Sequence, residues 1–155
     1  VGFEIYQLRR ALDALEKRRD VDADRIGMIG LSWGGFYTLM TAAAETRIKA
    51  AVSSCSFTNG FRNLEWSLRN GARTMHEAEV ASLVCPRALC IEVGKTDDII
   101  PSEGVEDEVQ AIAERYRQLG IARKFRFRKH PGWHELDKAK GGIDFLMGQL
   151  ETIIR

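Results

Sequence analysis

Four short segments with strand character alternate with helical segments along the chain. The predicted strands are Ile26–Leu31, Ile48–Cys55, Ala88–Val93 and Lys124–Lys129. The predicted helices run from Ile5 to near Arg19, over Phe36–Glu45, from Val105 to Gly120, and over Gly142–Ile154. A helix that connects two strands usually returns the chain to the end of the sheet where the first strand began, so that the two strands pair in parallel. The alternation therefore predicts an α/β fold in which helices cover both faces of a parallel sheet.

The size and charge of the chain limit what it is expected to bind. Its 155 residues and 45% hydrophobic content suit a single domain over residues 1–155. The 23 basic and 22 acidic side chains nearly cancel, and the cations that alternate with phenylalanine over 123–129 fit the solvated face of an edge strand. No apolar run approaches the roughly 18 residues of a membrane span, and the first residues lack the order of a signal peptide. We therefore expect a cytoplasmic protein that binds neither nucleic acid nor membranes.

The cysteines give no sign of a disulfide framework or a metal site. Cys55, Cys85 and Cys90 are odd in number and lack the paired C-x-x-C spacing of a zinc site. We interpret them as reduced, buried, small apolar residues. Neither a metal ion nor an organic cofactor is expected from the sequence.

The motif G-x-S-x-G occurs at Gly30, Ser32 and Gly34, between a predicted strand and a predicted helix. A serine in an ordinary glycine-rich bend would have no special role, but this context is that of a nucleophile elbow. In such an elbow the turn forces the serine into a strained conformation, and small neighbours avoid clashes while the hydroxyl projects. The Trp33 amide would then lie at a helix N-terminus, where it can donate to an oxyanion.

A serine nucleophile needs a base, and the chain has 3 histidines. His134 is preferred because it follows the last predicted strand on a loop, and active sites of parallel sheets lie at the carboxyl ends of their strands. His130 precedes Pro131 and is expected to shape the turn instead. His76 lies in an irregular stretch with no strand end nearby. The alternative for His134 is a surface histidine without a catalytic role.

The acid that orients the histidine is expected just after the third predicted strand, where Asp97 and Asp98 are adjacent. Asp97 is preferred, and Asp98 is expected to cap the turn or to face solvent. Glu92 is the third candidate, but it lies inside the strand, where its charge would be buried unless paired. The resulting chain order of Ser32, Asp97 and His134 is the order expected for an α/β-hydrolase triad.

Three segments resemble the α/β-hydrolase superfamily, and more narrowly its dienelactone-hydrolase-like and acetyl-xylan-esterase-like branch. They are residues 21–54 around the elbow, residues 85–101 with Gly94, Asp97 and Pro101, and the histidine segment HPGWHELD at residues 130–137. The resemblance implies the second half of that fold, because no histidine- and glycine-rich loop precedes Ser32 to supply the family's other oxyanion donor. Dienelactone hydrolases proper use a cysteine nucleophile, whereas this chain has Ser32.

In that family the elbow strand has a partner strand on each side. Here the segment Ile26–Leu31 would instead form a bare hydrophobic edge, and such edges invite pairing with other chains. We therefore expect this edge to be covered, either by a preceding segment of a longer hydrolase or by a second copy in a homo-oligomer.

The resulting functional hypothesis is a serine hydrolase that cleaves a small-molecule carboxylic ester through an acyl-enzyme. Phe57, Phe61 and Trp66 are candidates for lining the substrate pocket, with the hydrophobic core as their alternative location. A peptidase of the prolyl-oligopeptidase type is a second hypothesis, because it shares the same elbow and chain order. A third is a non-catalytic half-fold that acts as an interaction module.

Overall fold

The computed structural model describes residues 1–58 and 76–152 as an α/β structure. Its helices are α1 (Gly2–Leu15), α2 (Trp33–Ala44), α3 (Glu77–Val84), α4 (Val105–Gln118) and α5 (Gly141–Glu151). Its strands are β1 (Ile26–Leu31), β2 (Ile48–Ser54), β3 (Ala88–Gly94) and β4 (Phe125–His130). The four strands lie in the order β1-β2-β3-β4, and every neighbouring pair is parallel. The predicted fold class is confirmed.

The predicted strands agree with the structure, whereas one helix was not predicted and several helix ends differ. Every predicted strand is present, with its bounds correct to within one residue. Helix α1 ends at Leu15 rather than near Arg19, and beyond it the Lys17 and Arg18 amides bond three residues back, to Ala14 and Leu15, as in turns. Helix α2 begins directly at Trp33, and α3, which was not predicted, begins at the end of the stretch expected to be irregular.

The two faces of the sheet have separate hydrophobic clusters. On one face, β3 contributes Leu89, Ile91 and Val93 to a cluster that also includes residues of α1, α2, α3 and α4. On the other face, Cys90 and its neighbours pack against Phe145 and Leu146 of α5. Strand β3 is buried along its whole length, so helices cover both faces as predicted.

Strand β4 differs in part from the predicted solvated edge. Its phenylalanines pack against the larger cluster, and Lys129 is exposed beside Glu106, in agreement with the prediction. Arg128 is only partly exposed, however, and it pairs with the buried Asp137 of the following loop. Leu119, which was assigned to the apolar stripe of α4, is 57% exposed because it lies beyond the end of the helix.

Strand β1 has one partner, β2, within the described residues. Its Ile29 side chain is 37% exposed, so part of the predicted apolar edge is open to solvent. In the described part of the chain, no helix has the length and apolar character needed to cross a membrane.

Candidate active site

Ser32 forms the sharp turn between β1 and α2. Its backbone has φ 57° and ψ −125°, a strained conformation for a residue with a side chain. The Ser32 amide donates to the Ser54 carbonyl at 2.9 Å, and the Ser32 carbonyl accepts the first helical hydrogen bond, from the Phe36 amide at 3.0 Å. The surrounding backbone therefore fixes the turn on both sides of the serine, as the elbow prediction requires.

The glycines around Ser32 differ in whether the structure leaves space for a side chain at their positions. A Cβ at Gly30 would lie 2.1 Å from the Gly34 carbonyl oxygen, so only glycine fits there. A Cβ at Gly35 would lie 2.6 Å from Ser56 Oγ, so this glycine outside the motif is also required. A Cβ at Gly34 would meet nothing within 4 Å. The expectation that small neighbours prevent clashes is thus confirmed for Gly30 but wrong for Gly34.

Asp97 and His134 form a hydrogen-bonded pair. His134 Nδ1 lies 2.8 Å from Asp97 Oδ2. The other carboxylate oxygen accepts from the amides of Ile99 at 3.0 Å and Ile100 at 2.8 Å. Because an ionised carboxylate can only accept, the pair places the ring proton on Nδ1 and leaves the lone pair on Nε2. The His134 side chain is 11% exposed and that of Asp97 is fully buried, so the imidazole borders solvent and the carboxylate does not.

The turns that carry these two residues are bonded to each other. The Lys95 amide donates to the His130 carbonyl at 2.9 Å, and the Thr96 amide donates to the Gly132 carbonyl at 3.3 Å. A Cβ at Gly94 would lie 2.2 Å from the Trp133 carbonyl oxygen, so glycine is required where the turns touch. Pairing of β3 with β4 therefore continues beyond the strands and sets the spacing between Asp97 and His134.

The other candidate acids and bases lie in different contacts. Asp98 accepts from the Trp133 indole nitrogen at 2.6 Å, which fixes the loop next to His134. Glu92 is buried in β3, and its carboxylate accepts from the Asp137 amide at 3.4 Å. His130 is buried at the end of β4, and its Nδ1 accepts from the Gly132 amide at 3.2 Å, so it shapes the turn as predicted. His76 caps helix α3.

Cys55 is a neighbour of the pair that the sequence analysis missed. It follows β2 with φ 46°, and its Sγ lies 3.4 Å from the Glu135 carbonyl oxygen, 3.8 Å from the Trp133 carbonyl oxygen and 3.7 Å from His130 Nε2. The Cys55 sulfur, a carboxylate oxygen of Asp97 and a ring nitrogen of His134, each a possible metal ligand, all lie within 4.8 Å of one another. Burial raises the pKa of the Cys55 thiol, so it is a neutral donor rather than a nucleophile.

Ser32 lies at the carboxyl ends of the strands, as do Cys55, Asp97 and His134. The carbonyl that accepts from its amide belongs to Ser54, the residue before Cys55. A cavity of about 410 Å³ lies elsewhere, at the amino end of β1, and residues such as Leu15, Arg25 and Met147 line it. That cavity includes none of the predicted catalytic residues.

The predicted pocket residues are only partly described. Phe57 is fully buried in the larger hydrophobic cluster, which is the alternative location that the sequence offered for it. Phe61 and Trp66 lie outside the described residues. Trp33 is the first residue of α2, and its side chain is 54% exposed. Its amide is one of the first four of the helix, which have no intrahelical acceptor, and its oxyanion role stays a prediction.

Two sequence comparisons relate the chain to hydrolases. A model of the prolyl oligopeptidase family, Peptidase_S9, matches residues 4–80. The chain is 33% identical over 143 residues to the Bacillus subtilis (strain 168) protein named "Putative hydrolase YtaP". That alignment covers 86% of the chain and 48% of YtaP, so the chain spans about half the length of this relative.

Solved structures share the fold over almost the whole chain. A CE15 glucuronoyl esterase from Teredinibacter turnerae T7901 superposes with a TM-score of 0.77 at 18% identity, over 96% of this chain and 46% of the esterase. The structure named "Putative Dienelactone Hydrolase" from Klebsiella pneumoniae subsp. pneumoniae MGH 78578 superposes with a TM-score of 0.64 at 20% identity, over 95% of this chain and 60% of that one.

Proposed function

The chain belongs to the α/β-hydrolase superfamily, and we propose that it carries the catalytic residues of a serine-dependent carboxylic ester hydrolase. The observation that carries this proposal is the hydrogen bond of 2.8 Å between His134 Nδ1 and Asp97. This hydrogen bond leaves His134 Nε2 as a proton acceptor at the carboxyl ends of the strands, where the strained Ser32 also lies. The chain spans 48% of YtaP, and the activity of any longer protein is part of the same proposal.

The reaction follows from the roles that the three side chains can take. Ser32 Oγ attacks the acyl carbon while His134 Nε2 accepts the hydroxyl proton, and the Asp97 carboxylate stabilises the imidazolium that results. His134 then returns the proton to the leaving alcohol, and an acyl-enzyme forms on Ser32. Water, deprotonated by the same imidazole, releases the acid and restores the serine hydroxyl.

The developing oxyanion needs hydrogen-bond donors, and the Trp33 amide is the donor that we propose in this chain. It begins helix α2, so the partial positive charge of the helix N-terminus adds to its hydrogen bond. The family resemblance implies a second donor from a loop before the elbow strand. Because loss of one such donor costs about 10²–10³ in turnover, the chain by itself is expected to be a slow catalyst.

A covered β1 edge is part of the same proposal. Strand β1 has one partner within the described residues, and a bare edge invites strand pairing. We propose that a preceding segment of a longer hydrolase, or a second copy of this chain, pairs with it. Sedimentation at increasing protein concentration tests the second arrangement, and a monomer at every concentration would exclude it for this chain.

The test of the esterase proposal is labelling with a fluorophosphonate probe, followed by mass spectrometry of the labelled peptide. We expect labelling at Ser32, together with hydrolysis of p-nitrophenyl acetate. Ser32→Ala should lose both. The matched control is Ser82→Ala, which removes a hydroxyl that bonds within helix α3 and should leave both unchanged. Equal labelling of the Ser32→Ala protein would refute the proposal.

A peptidase is the second candidate function, and the match to the prolyl oligopeptidase family model over residues 4–80 favours it. The triad is common to esterases and peptidases, so substrates must distinguish them. Names of structural neighbours such as the glucuronoyl esterase favour the ester. Faster cleavage of a proline p-nitroanilide peptide than of p-nitrophenyl acetate would reverse the choice, and inertness towards both substrates and the probe would favour an interaction module.

A further inference from the structure

We propose that Cys55, Asp97 and His134 form a binding site for a soft divalent cation of the Zn²⁺ type, and that an ion bound there stops hydrolysis. The cation site rests on the geometry of the three side chains. Its inhibitory effect rests also on the proposed function. The sequence predicts no metal site, because the three donors come from three separate turns and form no local ligand pattern.

The three residues offer the donor atoms that Zn²⁺ prefers. A thiolate, an imidazole and a carboxylate are its usual protein ligands, at about 2.3 Å for sulfur and about 2.0–2.2 Å for nitrogen and oxygen. Ligand atoms in such a tetrahedral site are therefore separated by about 3–4 Å. The donor atoms of Cys55, Asp97 and His134 lie within 4.8 Å of one another, so small side-chain movements bring them to this spacing.

The backbone around Cys55 keeps the sulfur close to the other two donors. The left-handed conformation at Cys55 turns the chain beneath the His134 loop, where Sγ lies near the carbonyls of Trp133 and Glu135, the residues on either side of His134. His130 also lies near the sulfur. Its Nδ1 accepts from the Gly132 amide, and its Nε2 lies 3.7 Å from Sγ.

Metal binding balances as an exchange of protons for one cation. The Cys55 S–H bond breaks, its proton goes to solvent, and the sulfur lone pair forms a bond to the metal. His134 Nδ1 gives up its proton to ligate the ion, and the ring regains a proton at Nε2, so it stays neutral. One carboxylate and one thiolate neutralise the dication, and one proton is released in total without oxidation or reduction.

This exchange removes the base that the proposed reaction needs. With the metal on Nδ1 and a proton on Nε2, His134 has no lone pair for the Ser32 hydroxyl proton. The Asp97 carboxylate binds the cation instead of orienting the ring. Occupation of the site therefore competes directly with the catalytic arrangement, and removal of the ion restores it.

The binding test uses Cd²⁺, because cadmium bound to a thiolate gives an ultraviolet charge-transfer band that does not depend on hydrolysis. The protein should show this band, and Cys55→Ser and His134→Gln should each weaken Cd²⁺ binding by more than the ~10–100-fold that changes to outer-shell residues produce. The matched control is Cys85→Ser, which removes a partly exposed thiol elsewhere and should leave the titration unchanged. An unchanged band in either ligand variant would overturn the site.

A measurement on the unaltered protein covers the case in which a variant does not fold. X-ray absorption of the zinc-loaded protein should show one sulfur ligand together with nitrogen and oxygen ligands. Coordination without sulfur, or with two sulfurs, would overturn the proposed ligand set.

The inhibition test separates this inference from the proposed function. Zn²⁺ should lower the rate of p-nitrophenyl acetate hydrolysis by at least tenfold in the unaltered protein and in Cys85→Ser, and a chelator should reverse the effect. The ratio of rates with and without Zn²⁺ should fall towards one in Cys55→Ser. A cadmium band in a protein that hydrolyses no ester would refute the proposed function and keep the site. Hydrolysis that depends on Ser32 but resists Zn²⁺ would refute the inhibition.

Discussion

At the amino end of the strands Glu45 lies between Arg47 and Arg9, whereas at their carboxyl end Glu77 lies against Thr58. Glu45 Oε2 accepts from Arg47 Nη2 at 2.6 Å and from Arg9 Nε at 3.1 Å. Glu77 accepts from the Thr58 amide at 2.5 Å and from the Thr58 hydroxyl at 3.1 Å. The first carboxylate has cationic partners, and the second has neutral donors.

The pKa values of these two carboxyl groups move in opposite directions. The Arg47 guanidinium lowers the pKa of Glu45 to about 2, and burial raises the pKa of Glu77 to about 7, with Glu108 adding a smaller effect in the same direction. Paired charges at the amino end thus add stability and exchange no protons near neutral pH. Glu77 at the carboxyl end remains able to exchange a proton near neutral pH. Asp97 and His134 lie at the same end of the sheet.

The largest effect that tests this difference is expected for Asp97→Asn. An asparagine cannot hold the Nδ1 proton of His134 as a carboxylate does, so ester turnover should fall about 10⁴-fold with little change in stability. Steady-state kinetics and urea unfolding measure the two quantities. Asp98→Asn, whose amide oxygen can still accept from the Trp133 indole, is the control and should lose less than tenfold. Equal losses in the two variants would place the catalytic acid elsewhere.

The next effect concerns the turn that carries Ser32. Gly30→Ala places a Cβ against the Gly34 carbonyl, so the free energy of unfolding should fall by about 2–4 kcal/mol. Gly34→Ala is the matched control, because its Cβ meets open space inside a helix and should add up to about 1 kcal/mol of stability. Urea unfolding measures both, and equal destabilisation would mean that the close approach at Gly30 is absent.

Glu77→Gln should change how stability depends on pH. The folded-state pKa of Glu77 lies near 7, above its ordinary 4.5, so its contribution is complete below pH 4.5 and falls as the pH rises towards 7. The glutamine variant lacks this loss and should be more stable than the unaltered protein at pH 8 by about 2 kcal/mol. Parallel pH curves of unfolding free energy for the two proteins would contradict the raised pKa.

The smallest effect is expected for Glu45→Gln at the amino end. The folded-state pKa of Glu45 lies near 2, below 4.5, so its contribution is present above pH 4.5 and disappears as the pH falls towards 2. Because Arg9 is half exposed, solvent screens the pair, and we expect a loss of about 1 kcal/mol at pH 7. Ester turnover should not change. A clear fall in ester turnover in Glu45→Gln would mean that the amino end of the sheet also contributes to activity, which would contradict the difference between the two ends.

Local patterns were sufficient to predict the sheet and the bonded pair. Apolar runs bounded by polar turns predicted the first three strands, because burial on both faces of a parallel sheet requires such runs. The fourth strand was predicted from the alternation of phenylalanine with cations, which is typical of an edge strand. Asp97 and His134 were predicted from their positions directly after strands, since the carboxyl ends of parallel strands lie on the same side of the sheet. The contact between them depends on the register of β3 with β4, which pairs Gly94 with His130 and was not predicted.

Features that depend on contacts between distant segments were missed. Cys55 was interpreted as an apolar core residue because the three cysteines are odd in number and lack zinc-site spacing, although its position at the carboxyl end of the second predicted strand was a usable signal. The need for glycine at Gly35 comes from Ser54 and Ser56, which belong to the next strand and the turn after it. An aromatic residue such as Phe57 can line a pocket or lie in the core, and only the packing of the folded chain shows that Phe57 belongs to the larger cluster.

The strands follow one another in space in the same order as they do along the chain. During synthesis a newly made strand of this sheet can therefore dock on the one completed just before it. Ser32, which follows β1, emerges from the ribosome before Asp97 and His134, which follow β3 and β4. A polypeptide that stalls between these segments can already have paired strands while the Ser32 hydroxyl still has no imidazole to accept its proton, so the proposed reactivity requires translation to pass His134.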